Sequence, residues 1–129
     1  MSGEISLDTN IVIRLFKNDT LVTQKLANLS NIYLPIPVIA ELLFAARNSS
    51  RPEENLDTYN EFIDTCKVLN ITRKTADHYS TIRLDLKQRG CPIPENDLWI
   101  ASVCMEHALP LATNDVHFDN VHGLKILKW

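Results

Sequence analysis

No apolar run in this chain approaches the roughly 18 residues that would suggest a membrane span, and no basic stretch leads into an apolar core near the N-terminus. The expected location is therefore the cytoplasm, with no membrane partner. Glycine is scarce, with 3 residues, and proline contributes only 6, so the composition excludes a flexible or collagen-like chain. No linker, repeat or low-complexity tract interrupts it. Cys66, Cys91 and Cys104 are odd in number and lack a CxxC spacing, which argues against a disulfide framework and against a thiolate zinc site. A basic excess is missing too. The formal charge of -3 argues against a general polyanion binder, because phosphate backbones are held mainly by Lys and Arg.

What is present is an ordinary globular composition, 45% apolar and 22% charged, over 129 residues. That length fits one domain, residues 1–129, able to bury roughly two thirds of the surface its unfolded chain exposes. The run Ile5 to Leu7 reads as a short strand, and Thr9 or Asn10 as the cap of a helix carrying Ile11, Val12, Leu15 and Phe16. Asn18 and Asp19 break that pattern. Leu21 to Leu29 is then a short helix and Ile32 to Ile36 a strand. Pro37 suits the first turn of the next helix, whose apolar face is Val38, Ile39, Leu42, Leu43 and Ala46. Further helices are expected over about Glu53 to Cys66 and Arg73 to Arg89, separated by a strand at Lys67 to Ile71 and stopped by Gly90. Asn96 is the expected cap of a helix through Met105, and strands follow at Leu109 to Ala112 and Leu124 to Leu127. Alternating strands and helices imply a mainly parallel sheet covered on both faces.

Four acids stand out within that frame. Asp8 and Asp115 follow apolar strand runs, so both project toward the carboxyl edge of the sheet, where open α/β folds place their functional crevice. Glu41 and Asp97 lie in the opening turns of helices, which face the same edge. Four convergent carboxylates repel one another and persist only with protons or a cation. Hard oxygen donors without cysteine favour magnesium or manganese, and hydrolysis of a phosphodiester is the natural chemistry. Neutralising all four would move the formal charge from -3 to +1, which permits a nucleic-acid substrate.

Each acid also has a plainer explanation. Asp97 complements a helix dipole, Asp8 caps a turn, and Asp115 sits in a Thr-Asn-Asp turn. Glu41 is harder to explain away, because it stands inside the apolar stretch Val38 to Ala46, where an unpaired carboxylate is costly. His117 and His122, near Asp115 and Asp119, invite a transition-metal reading, but their spacing assigns them to no site, and an exposed turn is the better account. Glu95 and Asp119 are expected to be solvated. Arg14, Lys17, Arg47 and Arg83 are within reach of a backbone phosphate, but are better explained as helix-face charges.

The segments Ser6-Leu7-Asp8-Thr9-Asn10, Val38-Ile39-Ala40-Glu41-Leu42, Ile93-Pro94-Glu95-Asn96-Asp97-Leu98-Trp99-Ile100-Ala101 and Ala112-Thr113-Asn114-Asp115 resemble, in order, the acidic motifs of PIN-domain VapC toxins. The likeness spans nearly the whole chain. It implies a three-layer α/β/α fold and a metal-dependent endoribonuclease that uses Mg2+ or Mn2+ on RNA. It also implies a toxin silenced by a VapB-like antitoxin, and a homodimer. By the same resemblance Asp8 and Asp97 are the most direct metal ligands, Glu41 completes the acidic set, and Asp115 assists metal or water positioning. Asn10 and Thr113 are polar supports. Ala45 stands where relatives often carry Gly, and Ser102 where Ala is frequent. The main alternative is a catalytically idle PIN-fold module that binds a protein. A haloacid-dehalogenase-like phosphatase would want a second Asp at position 10, which is Asn. A receiver-like domain would want a late Lys that the Asp115 region lacks.

Overall fold

A computed structural model describes residues 3–129. Among the described residues it contains five strands and six α-helices. Their order is β1 Glu4–Leu7, α1 Thr9–Phe16, α2 Thr20–Ala27, β2 Asn31–Pro35, α3 Ile36–Arg47, α4 Pro52–Thr65, β3 Lys67–Leu69, α5 Arg73–Gln88, α6 Glu95–Glu106, β4 Leu111–Ala112 and β5 Ile126–Leu127. A 3-10 turn, Val116–Asn120, lies between β4 and β5.

All strand pairs are parallel, in the order β3-β2-β1-β4-β5. From β1 the chain steps outward to β2 and β3, then returns to the far side of β1 for β4 and continues to β5. The winding direction therefore reverses between β1 and β4. Right-handed crossovers on either side of such a point place helices on opposite faces, giving the expected α/β/α layering.

The central position of β1 explains its sequence. Ile5, Ser6 and Leu7 are all buried, because a strand covered on both faces loses the alternation of a half-exposed one. Ser6 is tolerated there because its hydroxyl donates to the Pro110 carbonyl at 2.6 Å and contacts Cys104 Sγ at 3.1 Å. The three cysteines are free thiols. Helix α6 is buried around most of its circumference, with Leu98, Ile100, Ala101, Ser102, Val103 and Cys104 in the core. Ser102, the departure from the family pattern, satisfies its hydroxyl on the Leu98 carbonyl at 2.5 Å.

Several element ends differ from the expected ones for identifiable reasons. Asp8, rather than Thr9 or Asn10, caps α1, its Oδ1 accepting from the Thr9 N–H at 2.8 Å. Helix α6 starts after Pro94, so Asn96 lies inside its first turn instead of capping it. Strand β3 stops at Leu69, short of Ile71. Strand β4 starts only at Leu111, because Leu109 closes the end of α6 by donating to the Cys104 carbonyl at 3.0 Å. That closure puts Ala108 at φ 51, whereas the matching closure of α5, from Cys91 to Leu86, uses Gly90 at φ 71. Strand β5 is likewise shorter than expected, beginning at Ile126.

Candidate active site

The winding reversal leaves a crevice beyond the carboxyl ends of β1 and β4. A cleft of about 490 Å³ opens there, lined by Asp8, Thr9, Asn10, Ile13, Arg14, Glu41, Asp97 and Asp115. All four acids singled out in the sequence thus reach one cleft from four separate segments.

Asp8 forms its inner wall. It follows β1 directly and is only 5% exposed. Its Oδ2 accepts from the Thr113 hydroxyl at 2.6 Å and from the Asn10 amide at 3.1 Å, while Oδ1 takes the Thr9 N–H. Thr113 follows β4, so its bond to Asp8 ties the two strand ends together, and its hydroxyl also accepts the nearby Asp115 N–H at 3.0 Å. Asn10 reaches across as well, its Oδ1 accepting from the Asn114 N–H at 3.3 Å. Asn10 and Thr113 therefore hold Asp8 in place through direct hydrogen bonds. The hydroxyl of Thr113 donates to Asp8 and accepts from the Asp115 N–H and, at 3.5 Å, from the Asn10 amide, which uses its one donor and two acceptor sites.

The rim is more open. Asp97 projects from the first turn of α6, where the helix dipole favours a negative charge. Glu41 is exposed, so the burial cost argued from its apolar neighbours does not arise. Val38, Leu42 and Ala46 carry the buried face of α3, and Glu41 falls outside that face. Its Oε1 accepts from the Thr9 hydroxyl at 2.8 Å, which draws it to the cleft.

His117 corrects a sequence expectation. It is exposed and lies in a turn, as foreseen, yet it does not stand apart from the acids. Its Nδ1 lies 3.1 Å from Asp97 Oδ2 and 3.0 Å from Asp115 Oδ1. These three side chains form the tightest group of potential metal donors among the described residues, all within 4.8 Å of one another. The local cause is a turn in which Asp115 Oδ1 accepts the His117 N–H at 2.9 Å. An Asp capping the N–H two residues on brings both side chains to one side, and the Asp-x-His spacing was the signal for it. His122 instead approaches Asp85 at 3.9 Å, away from this cleft.

Burial and like charge shape the electrostatics. Removal from water, opposed by the Thr113 and Thr9 hydrogen bonds and reinforced by Asp97 and Glu41, pushes Asp8 up to about 6. Asp97 is also raised, chiefly by burial, with His117 pulling it back and Asp115 adding repulsion. Arg14 is the cation at the cleft wall, but its guanidinium is committed to Asp19 at 3.0 Å and to the Trp129 carbonyl at 2.6 Å. Arg83 pairs with Glu95 at 3.7 Å, so neither is a free helix-face charge. Glu95 also accepts from the Tyr79 hydroxyl, and Asp119 binds Lys128 at 3.0 Å, so these two acids have protein partners despite their exposure. Four carboxylates in one cleft, two of them, Asp8 and Asp97, with raised proton affinity, backed by amide and hydroxyl oxygens and an imidazole, fit a divalent cation without any thiolate.

Comparison with known proteins agrees with this geometry. Residues 5–124 match the family model described as PIN domain. The chain is 31% identical over 126 residues to ribonuclease VapC2 of Haemophilus influenzae, covering 95% of this chain and 96% of that one. It is 32% identical, with the same coverage, to the tRNA(fMet)-specific endonuclease VapC of Shigella flexneri. Among solved structures, the DNA-bound VapBC of Salmonella typhimurium superposes with a TM-score of 0.91 at 27% identity, over 100% of this chain and 99% of that one.

Proposed function

The chain belongs to the PIN-domain family of VapC-type ribonucleases, and on that premise we propose that it is a metal-dependent endoribonuclease, the toxin of a VapBC-type pair. One observation carries the proposal. Four carboxylates from separate segments line a single cleft at the carboxyl ends of adjacent parallel strands, where the sheet changes winding direction.

Asp8 and Asp97 are the principal metal ligands in this proposal, with Glu41 and Asp115 completing the set and Asn10 and Thr113 as supports. A divalent ion held by them, Mg2+ or Mn2+, would acidify the attacking water and offset charge on the phosphodiester. The protein's own part is to fix and direct these groups. Thr113, Asn10 and the Thr9 N–H fix both oxygens of Asp8, so it meets substrate already oriented. Glu41 stands on the exposed rim, where it can position water and accept its proton. Arg14, anchored by Asp19, supplies positive charge beside an otherwise acidic cleft.

Water as nucleophile forms the new P–O bond while the bond from phosphorus to the 3′-oxygen breaks, and that oxygen leaves with a proton. The products should then carry 5′-phosphate and 3′-hydroxyl ends, with no participation of the neighbouring 2′-hydroxyl. Incubating the purified chain with RNA and analysing the ends tests this. A transfer RNA is the first substrate to try, because one relative is named for cutting one. Cleavage should stop with EDTA and return with Mg2+ or Mn2+. A 2′,3′-cyclic phosphate product, or activity indifferent to EDTA, would overturn the mechanism. No cleavage of any RNA would favour the idle protein-binding module.

The whole chain, residues 1–129, is proposed to work as one domain in the cytoplasm. None of its described helices is long and apolar enough to cross a membrane. The VapBC assemblies among its structural neighbours support a VapB-like antitoxin as partner. Phe44, one turn beyond Glu41 on α3 and 68% exposed, offers such a partner an apolar contact beside the cleft. A homodimer is the expected assembly, and light scattering that finds only monomer at micromolar concentration would remove that claim.

A further inference from the structure

The oxygens of the cleft do not discriminate strongly between hard divalent ions, but His117 adds a different kind of donor. Among the described residues around the cleft it alone offers an imidazole nitrogen. The other three histidines lie elsewhere, with His107 beside Glu106 and His78 and His122 lining a separate cavity.

Two features show that His117 is placed rather than merely nearby. Its Nδ1 stands 3.0 and 3.1 Å from the Asp115 and Asp97 oxygens. Neighbouring donors on an ion with bonds of about 2.1 Å lie about 3.0 Å apart, so both separations suit an imidazole nitrogen next to each carboxylate on one ion. The backbone supplies the second feature. Asp115 caps the His117 N–H, and the next residue, Phe118, is completely buried, so the turn is pinned on both sides of the ring.

Donor chemistry then decides which ion gains. Mg2+ takes oxygen ligands and sheds water reluctantly, so an imidazole adds little to its binding. First-row transition ions accept imidazole readily. We infer that His117 is a nitrogen ligand that biases this site toward Mn2+ over Mg2+, an inference that rests on the cleft being a divalent-metal site, as proposed above.

Pulsed EPR of the full chain loaded with Mn2+ tests it directly. Wild type should show nitrogen modulation from a bound imidazole, which changes to the 15N pattern when histidine is 15N-labelled and disappears in His117→Ala. Calorimetric titration should find Mn2+ binding weakened about 10-fold in His117→Ala. Mg2+ binding should change by less than about 2-fold. His117→Gln, which offers an amide oxygen, should lose the nitrogen signal while keeping Mg2+ affinity. Absence of nitrogen modulation in wild type would overturn the inference, whatever the variants do. So would unchanged or tighter Mn2+ binding in His117→Ala, the result expected if His117 is only a counter-ion that metal displaces. The two proposals separate cleanly: a nitrogen signal without RNA cleavage upholds the ligand and refutes the nuclease, and cleavage without the signal does the reverse.

Discussion

Asp8 and Glu41 line the same cleft, yet they stand in opposite physical situations. Asp8 is almost fully buried, accepts three hydrogen bonds from neighbours on both adjoining strand ends, and is pushed up to about 6 chiefly by desolvation. Glu41 is solvated and held by a single hydroxyl. The inner wall therefore stores an electrostatic cost that the fold carries without a cation, shared in part by Asp97, whereas the Glu41 carboxylate stands in water. Crowded, buried charge is what a bound ion can relieve, so the wall is where metal affinity should originate and the rim where substrate and water enter.

Catalysis should show the largest effect. Asp8→Asn or Asp97→Asn keeps size and polarity but removes a negative ligand, and single-turnover cleavage should fall by at least about 100-fold. A fully active Asp97→Asn chain would break the comparison at its functional end.

Stability should sharpen it next. Because burial raises Asp8 from its ordinary 3.8 to about 6, the native state holds a proton that the unfolded state has lost between those values. Metal-free stability therefore falls as pH rises through that window, and the penalty is fully present above about 6. The difference is worth at most about 3 kcal/mol. Asp8→Asn escapes this penalty, but its single amide oxygen cannot accept both from the Thr9 N–H and from the Thr113 and Asn10 pair on the other side of the carboxylate, which offsets part of the gain. Metal-free Asp8→Asn should thus match or exceed wild type in urea denaturation at pH 7.5, with the advantage gone near pH 4. A variant less stable at pH 7.5 than at pH 4, relative to wild type, would show that the carboxylate is not strained.

The smallest effects contrast the supports of wall and rim. Thr113→Val removes the donor to Asp8 Oδ2 and the acceptor of the Asp115 N–H, and should cost about 1–3 kcal/mol at neutral pH. Glu41→Gln should leave the unfolding midpoint where it was, since its carboxylate is exposed and lies off the buried face of α3, while still slowing cleavage. If the two variants destabilise the chain equally, wall and rim are not distinct.

Much of this was legible in the residues. Asp8 after an apolar run, Asp97 near a helix start and Asp115 after another apolar run place three acids at one sheet edge, because side-chain direction at strand and helix ends follows from local geometry. Alternating periodicities likewise imply the parallel sheet. What the residues do not contain is anything that depends on partners far along the chain. The exposure of Glu41 was misjudged because apolar neighbours in sequence say nothing about which way a helix turns its face. Helix α3 packs through Val38, Leu42 and Ala46, and Glu41 falls outside that stripe. The lock between Asp8 and Thr113 spans 105 residues and exists only because β4 returns to pair with β1. His117 divides along the same line. Its approach to Asp115 is local and follows from the Asp-x-His turn, but its approach to Asp97 requires α6 and the turn after β4 to meet, and only the packed chain brings them within hydrogen-bonding distance.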